Sequence, residues 1–106
     1  MAVGAVLALA TSTFNNAPQK TLSGAVDYYY TYNGPDQSAT ERSKGTNYTN
    51  PQTTPLGCDG QINECAVEVS VTGTAPADIS HLSVTYDPSS GFPTGGSDLV
   101  ANFKQD

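Results

Sequence analysis

Nucleophilic and acid–base chemistry in proteins draws on His, Cys and paired carboxylates, and this chain is sparsely supplied with them. Its 106 residues include one histidine, His81, two cysteines, Cys58 and Cys65, and ten Asp plus Glu. A Ser/His/Asp or Cys/His site would have to be built around His81. That residue opens the run His81-Leu-Ser-Val-Thr-Tyr86, in which His81, Ser83 and Thr85 share the polar face, so it reads as an exposed strand histidine. Asp59, Glu64, Asp87 and Asp98 fall in or beside turns, where carboxylates and carbonyls ligate calcium. Their spacing matches neither an EF-hand loop nor a glycine-rich calcium repeat, and Asx turns account for them at lower cost. Paired carboxylates for glycoside cleavage need a concave site, and a chain this short leaves little room for one. The expectation is a protein that is not an enzyme, with no catalytic residue, metal site or cofactor.

The cysteines form Cys58-Asp-Gly-Gln-Ile-Asn-Glu-Cys65, with Asp59-Gly60 suited to a tight turn that brings the sulfurs together. A structural zinc site takes four N or S ligands, and the one His is distant in sequence. A Cys58–Cys65 disulfide is expected, and with it an oxidising compartment. Asn47-Tyr48-Thr49 is the one glycan acceptor triplet, making Asn47 a candidate for glycosylation.

The surface chemistry points the same way. Charged residues are 13% of the chain, Ser and Thr occupy 23 positions, and the net charge is -6. A mostly uncharged hydroxyl and amide surface suits an extracellular protein, and the negative charge lacks the basic footprint that nucleic-acid or anionic-membrane binding requires.

The elements that would carry these residues begin with Met1–Ala10, MAVGAVLALA, an uncharged stretch continuing to Phe14. It is too short to span a bilayer, which takes about 20 residues. Ala8-Leu9-Ala10 matches the small-x-small pattern of an export cleavage site, although no basic leader precedes it. Exposing such a segment forfeits about 25 cal/mol per Å² of apolar area, so neighbouring subunits are its expected partners. Val3, Val6, Leu7, Ala10 and Phe14 fall at helical spacing, while Val3, Ala5, Leu7 and Leu9 also alternate as in a strand donated to another subunit's sheet. The interface residues expected on either reading are Val3, Val6, Leu7, Leu9 and Phe14.

Beyond Asn15-Asn16-Ala17-Pro18, the run Leu22–Tyr32 places Val26, Tyr28, Tyr30 and Tyr32 on one face. It predicts a strand in which Tyr28, Tyr30 and Tyr32 are either structural or a stacking platform for sugar or protein. Asn33-Gly-Pro-Asp36 is a turn. Ser38-Ala-Thr-Glu41 is a capping box opening a short helix that runs towards Tyr48 and ends at Gly45. The prolines of Asn50–Gly57 exclude an interior strand. In Cys65–Thr72 the residues Cys65, Val67, Val69 and Val71 face inward, Leu82, Val84 and Tyr86 line a further inward face, and Leu99, Ala101 and Phe103 mark a last strand. The fold class is therefore α+β and mainly β. An N-terminal apolar segment over 1–17, helix or donated strand, precedes a small antiparallel head over 18–106, with about four strands and one disulfide.

The apolar N-terminus, tyrosine strand and Cys58-to-Cys65 loop running into Cys65-Ala-Val resemble the short exported proteins common in Bacteroidota, which implies export and no known activity. The layout of apolar N-terminus and β-rich head with one disulfide is also similar to that of pilins, whose N-terminal helices bundle in a filament core. Here the apolar run is shorter, and Ala5 stands where an acidic residue would be expected. The pilin resemblance implies a structural subunit of an extracellular filament at the cell surface, with copies of itself as partners and no nucleic-acid or stable membrane contact. The rival reading is a monomeric secreted binding module that uses Tyr28, Tyr30 and Tyr32, its N-terminus being a signal remnant.

Overall fold

Aromatic and β-branched residues at every second position suit a pleated, half-buried surface, and the run from Ala25 to Tyr32 forms β1 on that basis. The computed structural model describes residues 24–106. The expected interface residues Val3, Val6, Leu7, Leu9 and Phe14, and the choice between helix and strand for 1–14, lie outside the described residues.

After β1 come a four-residue helix α1 (Ala39–Arg42), a 3-10 turn over Gly45–Asn47, and strands β2 (Tyr48–Gln52), β3 (Asn63–Thr72), β4 (Thr85–Tyr86), β5 (Pro93–Gly95) and β6 (Leu99–Gln105). The main sheet has the order β2-β1-β3-β6 with antiparallel neighbours, and β4 and β5 form a separate two-stranded ribbon. The head is thus mainly β, with four strands in its principal sheet and one disulfide, as expected.

The membership of that sheet differs from expectation. Leu82–Tyr86 contributes only Thr85 and Tyr86 to the ribbon, and the fourth strand of the main sheet is β2, which contains Pro51. A proline is tolerated there because β2 is an edge strand, where a missing N–H costs no ladder bond on the outer side. Between Thr31↔Thr49 and Tyr29↔Gln52, β2 carries one residue more than β1. Asn50 takes up the irregularity at φ 58, a left-handed conformation that Asn tolerates better than most residues.

The expected helix is also shorter and split. Ser38 caps α1, its hydroxyl accepting from the Glu41 amide at 3.2 Å, but the Glu41 carboxylate pairs with Lys44 at 2.8 Å instead of closing the capping box. Gly45 starts the 3-10 turn rather than ending the helix. The Ser80 backbone approaches so closely that a Cβ at position 45 would collide with it. That contact docks the helical segment on the loop carrying Ile79, whose amide donates to the Gly45 carbonyl at 3.3 Å.

The core lies on one face of the sheet. Tyr30, Val67 and Val69 are fully buried, and Tyr32, Tyr48, Val71 and Ile79 complete the cluster. Each fully buried side chain of this size is worth about 1.5 to 3 kcal/mol of apolar transfer. The excursion between β3 and β6 supplies the cover, with Ile79, Leu82, Val84 and Tyr86 packed against the strands. Its anchor is the Tyr30 hydroxyl, which donates to the Pro76 carbonyl at 2.7 Å. Burial raises the Tyr30 phenol to about 12, so this donor keeps its proton at physiological pH.

Candidate functional site

The chemistry-bearing residue that the fold treats most unusually is Glu64. An unbroken strand would give residues 64 and 68 the same facing, since side chains alternate with a period of two. In β3 the ladder to β6 passes from Glu64↔Lys104 to Ala66↔Phe103, leaving Cys65 as an extra residue. This bulge reverses the alternation. Glu64 turns inward with Val67 and is fully buried, whereas Glu68 stays on the opposite face.

Two strands flank the Glu64 carboxyl. The Tyr48 hydroxyl of β2 lies 2.7 Å from Oε2, and the Asn102 amide of β6 donates at 2.7 Å to Oε1 and 2.8 Å to Oε2. Asn102 reaches this position because β6 has its own extra residue, Val100, between Leu99 and Ala101. The Glu64 backbone is held by Gln37, whose side-chain oxygen accepts from the Glu64 amide at 2.7 Å and whose amide donates to the Glu64 carbonyl at 3.3 Å.

Two of the chain's few cations lie nearby but are engaged elsewhere. The Arg42 guanidinium is 4.2 Å and the Lys104 ammonium 4.5 Å from the centre of the Phe92 ring. Arg42 also donates to the Gln37 side chain and the Ser90 carbonyl. The sole ion pair among the described residues is Lys44–Glu41. Burial pushes the Glu64 carboxyl above the ordinary glutamate range, opposed by the hydrogen-bonding contacts with Tyr48 and Asn102 and by the Lys104 charge. The Tyr48 phenol is also driven up, by burial first and then by Glu64.

Sequence reasoning placed Glu64 among turn carboxylates, and the structure corrects this to a core position. Asp87 does behave as an Asx-turn residue, accepting from the Ser89 and Ser90 amides at 2.7 and 3.0 Å, and these bonds hold its carboxyl below the usual range. Asp98 accepts from the Ser83 amide at 2.7 Å, and Asp59 is exposed. No cluster of three or more His, Cys, Asp or Glu side chains among the described residues is arranged to hold a metal ion.

His81 is exposed, in a turn rather than a strand. The Asn47 amide, the atom a glycan would modify, is half-buried and donates to the Glu41 backbone and side chain at 2.9 and 3.0 Å. Tyr30 and Tyr32 are buried core residues and Tyr28 is half-buried against them, so the three do not form an exposed platform. The Tyr32 hydroxyl instead donates to the Asp36 carbonyl.

Cys58 and Cys65 form the expected disulfide, with Cα atoms 6.0 Å apart. Since Cys65 is the extra residue of the bulge, the bridge ties the connection between β2 and β3 to the point where the strand changes facing. A shallow cleft of about 350 Å³ opens beside it, lined by Cys58, Gln61, Asn102, Phe103 and Lys104. Asn102 therefore stands between this cleft and the Glu64 carboxyl.

Among the described residues no helix is long and apolar enough to cross a membrane. Compared with protein-family models, curated proteins and solved structures, the chain matches none.

Proposed function

We propose that this protein is a pilin-like structural subunit of an extracellular bacterial filament, polymerising with copies of itself through the apolar segment within residues 1–17. The observation that carries the reading is that the head closes its core with its own described residues. Tyr30, Val67 and Val69 are covered by Ile79, Leu82, Val84 and Tyr86 from the β3–β6 excursion. The uncharged run Met1–Phe14 adds an apolar segment to a head that has a core of its own, and burial against neighbouring subunits would recover its hydrophobic free energy. A disulfide-stapled head with few charges fits an outer surface in an oxidising environment.

The monomeric binding module rested on a tyrosine platform, and burial of Tyr30 and Tyr32 removes its main support. The filament reading predicts that negative-stain electron microscopy of native extracellular material shows filaments whose subunit retains Val3–Phe14. Val6→Asp with Leu7→Asp abolishes them while the head keeps its circular-dichroism spectrum. A stable monomer with the apolar segment intact at assembly concentrations would exclude this role.

A further inference from the structure

From the hydrogen-bond geometry we infer that Glu64 is kept as a neutral carboxylic acid that donates its own proton to Tyr48, forming a pH-sensitive latch between the sheet and α1. The inference rests on counting protons. The Tyr48 oxygen lies 2.6 Å from the Arg42 carbonyl and 2.7 Å from Glu64 Oε2. Both are ordinary O–H···O hydrogen-bond distances, and each needs a proton between its oxygens. A phenol has one proton and a carbonyl has none. If Tyr48 donates to the Arg42 carbonyl, the second proton must come from Glu64.

The remaining contacts accommodate that state. The Asn102 amide donates to Oε1 at 2.7 Å and to Oε2 at 2.8 Å, and a protonated Oε2 keeps a lone pair for that contact while its hydrogen points to Tyr48; Asn102 also reaches the Ala66 carbonyl at 3.3 Å. No cation forms an ion pair with Glu64: Arg42 and Lys104 both lie over the Phe92 ring, and the charge of Lys104, opposite Glu64 in the ladder, opposes the rise without overturning it. An ionised carboxylate without a paired cation is expensive in a core, and neutralisation is the ordinary escape. The titratable groups facing Glu64 are Tyr32 from β1, Tyr48 from β2, Tyr86 from β4 and Lys104 from β6, while the Arg42 guanidinium of α1 lies over Phe92. The three tyrosines are all raised with burial as the first cause, so none is a competing anion near neutral pH.

The relay Glu64→Tyr48→Arg42 carbonyl joins the inward end of β3, edge strand β2 and the last residue of α1. Loss of the Glu64 proton forces Tyr48 to turn its hydrogen to the carboxylate and frees the Arg42 carbonyl. Because the folded-state value lies above the unfolded one, the latch contributes fully below the unfolded glutamate value. Its contribution is lost as pH rises through the folded value.

The decisive measurement is the NMR titration of the Glu64 carboxyl in the intact chain, isotope-labelled at glutamate Cδ. The chain has three glutamates, Glu41, Glu64 and Glu68. Glu41→Gln and Glu68→Gln therefore assign the Glu64 line by elimination, whether or not a position-64 variant folds. The expected result is a Glu64 line that stays at its protonated position through neutral pH, while Glu41 titrates below the usual range. A Glu64 line already at the carboxylate position near neutral pH overturns the inference. Thermal melts give a second readout. Glu64→Gln, whose amide can donate to Tyr48 and accept from Asn102, should melt with the parent at acid pH and increasingly above it at alkaline pH. A deficit that stays constant across the titration would mean that a carboxylate had been replaced, and would also overturn it.

Discussion

Glu64 and Glu68 stand four residues apart on one strand, yet the fold treats them as different kinds of group. Glu64 is sealed in the core between Tyr48 and Asn102. Glu68 is half-buried on the opposite face, opposite Tyr29 in the ladder, with Asp27 close by. Burial raises both carboxyls, but the later causes diverge: the hydrogen-bonding contacts with Tyr48 and Asn102 and the Lys104 charge oppose the rise at Glu64, whereas Asp27 reinforces it at Glu68. The difference originates in the backbone. One extra residue at Cys65 converts two positions of equal strand parity into a core acid and a surface acid.

Removing the two carboxyls should therefore have very unequal effects. Glu64→Ala deletes a fully buried side chain and takes both carboxyl acceptors from the Asn102 amide, leaving it only the longer contact to the Ala66 carbonyl. The cavity and the unsatisfied donor together cost about 3 to 5 kcal/mol. Glu68→Ala exchanges a half-exposed group and should stay within about 1 kcal/mol. Urea denaturation of both variants beside the parent protein checks the contrast. Equal losses at the two positions would mean that the bulge does not set the energetics of β3.

A smaller effect is expected from the staple at the bulge. Closing the short Cys58–Cys65 loop removes about 2.5 kcal/mol of chain entropy from the unfolded state. Cys58→Ser combined with Cys65→Ser should lower stability by about that amount, read by denaturation under non-reducing conditions. The comparison can be sharpened by measuring amide exchange in the same variant. If the bridge holds the bulge in place, protection is lost first at Glu64, Ala66 and their β6 partners, while the Val69–Val71 end of β3 stays protected.

These contrasts also separate what could be read from sequence from what could not. The inward facing of Val67, Val69 and Val71, the tyrosine alternation of β1, the Ser38 cap and the disulfide were legible because each is a local pattern of residue type and spacing. Glu64 was misplaced because a bulge has no hydrophobic period of its own. Simple alternation assigned Cys65 inward and left Glu64 to the preceding turn. The strand β2 was missed because Asn50 and Pro51 are turn residues by composition. They fit a strand only because β2 lies at a sheet edge and Asn50 absorbs an irregularity. The pairing of Thr85–Tyr86 with Pro93–Gly95 depends on how the β3–β6 excursion folds over the core, which no short window encodes.

The smallest predicted effect concerns the surface acid. Glu68→Gln removes the charge that opposes Asp27 and retains a hydrogen-bonding side chain for Tyr29. Because the folded-state value of Glu68 is raised, its protonated form contributes stability at acid pH that is lost as pH rises through that value. The substitution should therefore be neutral at acid pH and slightly stabilising at neutral pH. Solvent screening limits the gain to about 0.5 kcal/mol. Added salt should shrink this increment further, since it arises from repulsion between partly exposed charges. The pH response of Glu64 should survive the same salt, because its cause is enclosure in the core. Thermal melts of Glu68→Gln and the parent at low and high ionic strength decide the point, and a gain at Glu68 that salt leaves unchanged would count against a screened surface pair.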